Sequence, residues 1–242
     1  MAFDFYNGEV LLINKPYTWS SFQAVNKIKH AIKNHSSLIL EGKKVKPKVG
    51  HAGTLDPLAT GLLIVCSGKK TKTINELMGL EKEYTGTFTL GATTPSYDLE
   101  TEVEEKFPVD HITEEAIHAA TVQFCGQIAQ FPPPHSAIKM GGERIYLKAR
   151  RGETVELKAR HVEIVAFEIT RIALPEVDFR VVCSKGTYIR SLAHDFGKAL
   201  GSGAYLSALC RTKSGNYSVE NAFEVADLVN HIRTLKETGK MV

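Results

Sequence analysis

No apolar run in the 242 residues approaches the ~18 that a membrane-spanning helix needs, and the longest, Leu62 to Cys66, is the length of a strand. The opening residues, Met1-Ala2-Phe3-Asp4-Phe5, lack a basic segment followed by an apolar one, so no secretory leader is expected and the cytoplasm is the expected compartment. Cysteine is scarce. Cys66, Cys125, Cys183 and Cys210 lie far apart, which argues against a disulfide framework or a zinc-ligand spacing and predicts buried thiols in a reducing compartment. Neither sign of charge dominates: 30 Lys and Arg against 27 Asp and Glu leave a net +3. With 43% hydrophobic and 24% charged residues the composition is that of a globular protein, which excludes a disordered, collagenous or coiled-coil chain as a description of the whole. The length suits one large domain or two small ones, enough to bury roughly 70–75% of the surface the unfolded chain exposes.

What charge there is, is segregated. Between Ala31 and Lys72 the bases Lys33, Lys43, Lys44, Lys46, Lys48, Lys69, Lys70 and Lys72 face only Glu41 and Asp56. A second basic block holds Lys139, Arg144, Lys148, Arg150 and Arg151 against Glu143, while acid gathers at Asp98, Glu100, Glu102, Glu104 and Glu105. Segregation of this kind suits a surface that meets phosphates on one side, although a solvated loop also shows charge runs.

The patterning predicts a strand over Val10-Leu11-Leu12-Ile13 and a helix capped at Ser20 or Ser21, with Phe22, Val25, Ile28 and Ile32 on one face. Gly42 to Gly50 reads as an exposed loop and Gly61 to Cys66 as a buried strand. Tyr84 to Leu90 alternates, placing Tyr84, Phe88 and Leu90 on one side. Thr113 caps a helix through Ile117, Ala120 and Phe124 that stops at Gly126. Val177, Phe179, Val181 and Cys183 form one face of a further strand, and a helix carrying Ile189, Leu192, Ala193, Phe196 and Leu200 ends at Gly201. Phe223, Leu228, Ile232 and Leu235 mark a closing helix. Hairpin-like runs outnumber strict β-α-β alternation, no repeat is visible, and no linker forces a boundary. The expectation is an α+β fold in one domain over residues 1–242, with a core at about 8–212 and a helical tail at 213–242.

Three motif matches fail. Gly61…Gly68-Lys69-Lys70-Thr71 has six residues between its glycines where a phosphate-binding loop needs four, and Lys70 stands where a magnesium-holding hydroxyl belongs. Gly201-Ser202-Gly203 lacks the third glycine of a dinucleotide fingerprint, since Leu206 stands there. His194-Asp195 suggests a metal-dependent phosphohydrolase, but adjacent helical residues point in different directions and no second pair stands at a ligand spacing. No metal and no cofactor are expected.

The informative segment runs from Gly50 to Gly61: Gly-His-Ala-Gly-Thr-Leu-Asp-Pro-Leu-Ala-Thr-Gly. Three glycines and a proline specify sharp bends. Asp56 is its one carboxylate, flanked on both sides by lysines, and Leu55, Leu58 and Ala59 surround it with apolar groups. An Asp-Pro pair can simply cap a helical turn that starts at Pro57. An apolar, electropositive setting can equally present an ionised carboxylate as a nucleophile.

The segment His51 to Gly61 resembles the signature loop of the TruB-type tRNA pseudouridine synthases. Leu12-Ile13-Asn14-Lys15-Pro16 resembles the first strand and lysine of that family, and Lys82-Glu83-Tyr84 its Lys-x-Tyr motif. Gln130-Phe131-Pro132-Pro133 with Ser136-Ala137-Ile138-Lys139 resembles its proline-rich RNA-contacting segment. Ser184-Lys185-Gly186-Thr187-Tyr188-Ile189-Arg190-Ser191-Leu192 resembles its third active-site motif. The five motifs fall in the family's order from residue 11 to about 212.

The resemblance implies a pseudouridine synthase fold, a mixed and mostly antiparallel sheet flanked by helices. It implies conversion of uridine 55 (tRNA convention) in the T loop to pseudouridine, without cofactor. Asp56 is then the catalytic nucleophile, Arg190 pairs with it, and Tyr84 stacks on the uracil and takes the C5 proton. Tyr188 and Leu209 meet the flipped nucleotide, and His51 fills the space the base vacates. Lys15, Lys82 and Lys139 contact substrate, and the two basic blocks track the T-stem backbone. The partner is tRNA, bound by a monomer, with no membrane. Two departures stand out: His135 occupies a position where the family usually has Tyr, and the stretch after Asn216-Tyr217-Ser218 is too short for the PUA domain of many bacterial members, so none is expected. The alternative is a non-catalytic module that binds and folds tRNA, which would have no use for a buried, arginine-paired carboxylate.

Overall fold

A computed structural model describes residues 3–135, 139–140, 143–144, 151 and 158–238, with the backbone alone at 139–140, 143–144 and 235–238. Along the chain the strands and helices are β1 (Val10–Lys15), α1 (Ser21–Ile32), β2 (Ile39–Leu40), β3 (Lys43–Lys44), β4 (Val49–Ala52), β5 (Ala59–Ser67) and α2 (Ile74–Gly79). There follow β6 (Lys82–Leu90), β7 (Ala92–Thr93), β8 (Glu105–Lys106), α3 (Glu114–Val122), β9 (Gly126–Gln130), β10 (Lys139–Met140), β11 (Glu143–Arg144), β12 (Arg160–Ala173) and β13 (Glu176–Cys183). The last are α4 (Ile189–Ala199), β14 (Ala204–Ser214), β15 (Tyr217–Ser218), β16 (Phe223–Glu224) and α5 (Val225–Thr238). Among the described residues no helix is long and apolar enough to cross a membrane.

The chain forms two compact units, one of residues 1–82 with 210–242 and one of residues 83–209. The first is organised around β5. Every residue of that strand but Thr60 is buried, because β1 pairs antiparallel along one edge and β4 along the other, leaving both faces to be covered. Helices α1 and α5 cover one face: Ala24, Val25, Ile28 and Ile32 of α1 meet Leu228 and Ile232 of α5 over Ile13, Leu63 and Val65. Each Val, Leu or Ile among them contributes about 1.5–3 kcal/mol by leaving water. A capping box sets the start of α1. Ser20 accepts from the Gln23 backbone N–H, and the Gln23 side chain returns the contact to the Ser20 N–H.

The second unit is a sheet of β6, β13, β12 and β9, with α3 and α4 against its apolar face. Alternation in β13 buries Val177, Phe179, Val181 and Cys183, as the sequence pattern requires. Phe88 of β6 stacks on Phe179 at 4.1 Å between centroids, and Phe196 of α4 packs on Phe167 at 5.3 Å. Strand β14 begins in this unit, where Ser207 accepts from the Thr89 hydroxyl, and ends in the other.

The α+β class and the mixed, mostly antiparallel sheet agree with the sequence reading, and several local expectations need correction. Phe22 is 69% exposed: the buried stripe of α1 runs through positions 21, 24, 25, 28 and 32, and position 22 lies about a third of a turn away from its middle. Phe223 precedes the last helix, in β16, which pairs parallel with β1 through Ile13. The lysine-rich stretch after Gly42 is partly ordered as the second arm of the β2–β3 hairpin before β4 begins at Val49. Cys125 is exposed, since it follows the end of α3, whereas Cys66 and Cys183 are buried.

Candidate active site

In the first unit, β4 and β5 are the arms of a hairpin whose tip carries Asp56. Pairing starts at Ala52 with Ile64, so residues 53–63 lie beyond the last β4 pair. Gly53 at φ +89° and Gly61 at φ +98° occupy backbone regions that other residues reach only under strain. Between them the chain closes one turn, the Ala59 N–H donating to the Asp56 carbonyl at 3.1 Å. Leu55 and Ala59 are buried, and Asp56 itself is half-buried.

Three side chains from elsewhere in the unit hold this arc. The Ser21 hydroxyl, at the first position of α1, donates to the Leu55 carbonyl at 3.0 Å and accepts from the Leu55 N–H at 2.9 Å. Lys15, at the end of β1, is fully buried, and its Nζ donates to Trp19 O at 2.6 Å, Pro16 O at 2.9 Å and Pro57 O at 3.3 Å. Arg211 of β14 donates from Nε to Leu62 O at 2.7 Å and from its terminal nitrogen to Gly53 O at 3.0 Å. Burial pulls the Lys15 ammonium down to about 8; the Asp56 charge pushes it up and Arg211 pushes it down. His51, on β4, is lowered by burial and then by Arg211, and its Nδ1 has no hydrogen-bond partner among the described residues.

In the second unit, Tyr84 lies on the same side of β6 as Phe88 and packs partly buried against the apolar core, as does Leu209. Arg190, in the first turn of α4, is 4% exposed. It donates to Ser96 O and His135 O, both at 3.1 Å, and its Nε stands 3.6 Å from a carboxylate oxygen of Asp98. The Gln130 side chain accepts from the Tyr188 N–H and donates to its carbonyl, and the Arg160 guanidinium lies over the Tyr188 ring at 5.4 Å. Ser191 binds Phe131 O at 2.7 Å, so the proline-rich run is laid along the start of α4. His194 stacks on Tyr97 at 3.9 Å, and burial holds its imidazole down to about 4.

Within the second unit Arg190 and Tyr188 come together at the start of α4, and within the first Lys15 and His51 lie beside the arc that carries Asp56. Lys82 is buried with its ammonium on Met78 O and Leu80 O. Lys139 is seen only as backbone, paired with Arg144, and residues 136–138 lie outside the described residues. The sequence reading missed Arg211 and Asp98. The sequence groups Asp98 with the acidic residues up to Glu105 and gives it no role, but it is 5% exposed. Its signal was the Thr94-Thr101 context, whose hydroxyls, with that of Ser96, bind across the turn: Thr94 and Ser96 to Asp98 O, Thr101 to Ser96.

Residues 39–189 match the model of the TruB family pseudouridylate synthase N-terminal domain, and residues 190–241 that of the tRNA pseudouridylate synthase B C-terminal domain. The tRNA pseudouridine synthase B of Flavobacterium johnsoniae is 60% identical over 222 residues, 92% of this chain and 95% of that protein. The protein of the same name from Phocaeicola vulgatus is 51% identical over 222 residues, 92% of each chain. Among solved structures, a chain of a Cbf5-Nop10-Gar1 complex superposes with a TM-score of 0.71 at 32% identity, covering 98% of this chain. This chain spans 57% of the length of that one. Two family models laid end to end over residues 39–241, with relatives identical at half or more of the aligned positions, make the chain a member of the TruB family of pseudouridylate synthases.

Proposed function

We infer that this protein isomerises uridine to pseudouridine in tRNA, at position 55 of the T loop. The observation that carries the reading is the half-buried Asp56 on an arc whose backbone is tied down by Lys15, Ser21 and Arg211. A side chain presented on so constrained a main chain is suited to attack at a fixed point. The names of the relatives, tRNA pseudouridine synthase B, support the substrate.

The reaction breaks the N1–C1′ bond, turns the uracil and joins C5 to C1′; the C5 proton leaves and N1 gains one. It is redox-neutral and transfers nothing between molecules, so its balance calls for no co-reactant. Asp56 acts on the anomeric centre, as a nucleophile at C1′ or as the anion that stabilises a cationic sugar. Arg190 supplies the guanidinium assigned to that carboxylate and Tyr84 takes the C5 proton. Tyr188 and Leu209 meet the extruded nucleotide, and neutral His51 takes the place of the base in the loop. Lysines of the first basic block give the T stem its phosphate contacts: Lys46 and Lys48, joined by Lys29 of α1, line a cavity of about 450 Å³ with Thr71 and Gly50, next along β4 from His51. Lys139 contributes from the second block. The protein works as a monomer in the cytoplasm.

Tritium release from 5-tritiated uridine in a T-arm transcript tests the assignment. The wild-type protein releases it and Asp56→Asn does not; release by Asp56→Asn would show that the nucleophile is misassigned.

A further inference from the structure

Arg211 is the largest fully buried side chain among the described residues, and it is a cation. Its hydrogen bonds go to main-chain carbonyls on either side of Asp56, Gly53 O before it and Leu62 O after it. The residue's own backbone closes on the same arc: a Cβ at Gly61 would meet Arg211 O at 2.4 Å and Arg211 N at 2.7 Å. This follows from the strand pairing, since β4 leaves β5 beyond Ile64 and β14 takes up the edge from there. A neutral donor would satisfy two carbonyls as well, without removing a charge from water. The charge also acts on Lys15 and His51, both of which it disfavours as cations, and the anion within the arc is Asp56.

We propose that Arg211 is a positioning residue for the reaction, clamping both ends of the arc from Gly53 to Leu62 so that Asp56 is presented in one backbone conformation. The proposal rests on the uridine-isomerising reading above. Clamping both ends fits the two glycines with positive φ: a Cβ at Gly53 would meet the guanidinium at 3.2 Å, and one at Gly61 would meet the Arg211 main chain that carries it. Lysine in its place would keep the charge but lose the planar fork that spans two acceptors.

The test compares Arg211→Met and Arg211→Lys by single-turnover pseudouridine formation, T-arm affinity, thermal melting and the NMR titration of His51. Arg211→Met is expected to lower the single-turnover rate about 100-fold with T-arm Kd within about threefold of wild type, and Arg211→Lys about 10-fold, since a small misplacement of a reacting group costs on this scale. In Arg211→Met the His51 midpoint moves up, because one of the two influences holding it down is gone. A folded variant of either kind that reacts within threefold of wild type overturns the proposal, as does a loss confined to Kd. If Arg211→Met does not fold, Arg211→Lys decides on the same criteria. If the wild-type protein forms no pseudouridine, the functional reading fails instead, and the His51 titration with the amide-exchange protection of residues 53–62 still decides whether Arg211 clamps the arc.

Discussion

The two units bury cations and satisfy them differently. In the first, Lys15 and Arg211 are bonded to backbone carbonyls of the segment around Asp56 and of the turn after β1. In the second, Arg190 faces a carboxylate, Asp98, itself 5% exposed, with two carbonyls completing its fork. Carbonyl-bound cations fix a backbone and keep their positive field, whereas a carboxylate partner offsets it. The first arrangement suits a loop that must present an anion. The second suits a guanidinium that must itself be aimed.

The sharpest way to test the contrast is to remove the anion. Asp56→Asn should abolish pseudouridine formation, a loss on the order of 10⁴-fold or more, while T-arm affinity in a filter-binding assay stays within about threefold. Next come the buried cations. Asp98→Asn removes the carboxylate that faces the buried Arg190 and should cost about 3–5 kcal/mol in urea unfolding, because removing one partner of a buried ion pair is strongly destabilising. Lys15→Met leaves carbonyls unpaired but orphans no charge, so about 1–3 kcal/mol is expected. Equal costs would erase the distinction between the units.

A smaller effect is set by pH. His194 is held down to about 4 by burial, so the folded protein binds fewer protons than the unfolded chain between there and the ordinary histidine value near 6.5. Its contribution is present above 6.5 and lost as pH falls through about 4, and His194→Gln should flatten the stability profile in that window. The smallest effect belongs to exposed pairs. Arg171 bridges Glu176 and Asp178 at side-chain exposures of 49%, 54% and 28%, and Arg171→Ala should change stability by no more than about 1 kcal/mol.

Much of this was legible in the residues. The alternation of Val177 to Cys183, the Ser20 cap and the glycine-rich arc around Asp56 each carry a local signal that tertiary packing then respects. Arg211 carried none: it sits in an ordinary strand-like run, and its role comes from pairing with β5, far away in sequence. Asp98 was masked by its acidic neighbours, because composition cannot show which of a run of carboxylates turns inward. Phe22 misled for a similar reason, as an apolar side chain beside the helix stripe looks the same in sequence as one within it.

The most direct measurement is to incubate the protein with an unmodified T-arm stem-loop and map pseudouridine at nucleotide resolution. Conversion of the single uridine at position 55 by the wild-type protein, and of none by Asp56→Asn, is the predicted result. A folded wild-type protein that leaves that uridine unchanged, or an Asp56→Asn protein that converts it, would contradict the account.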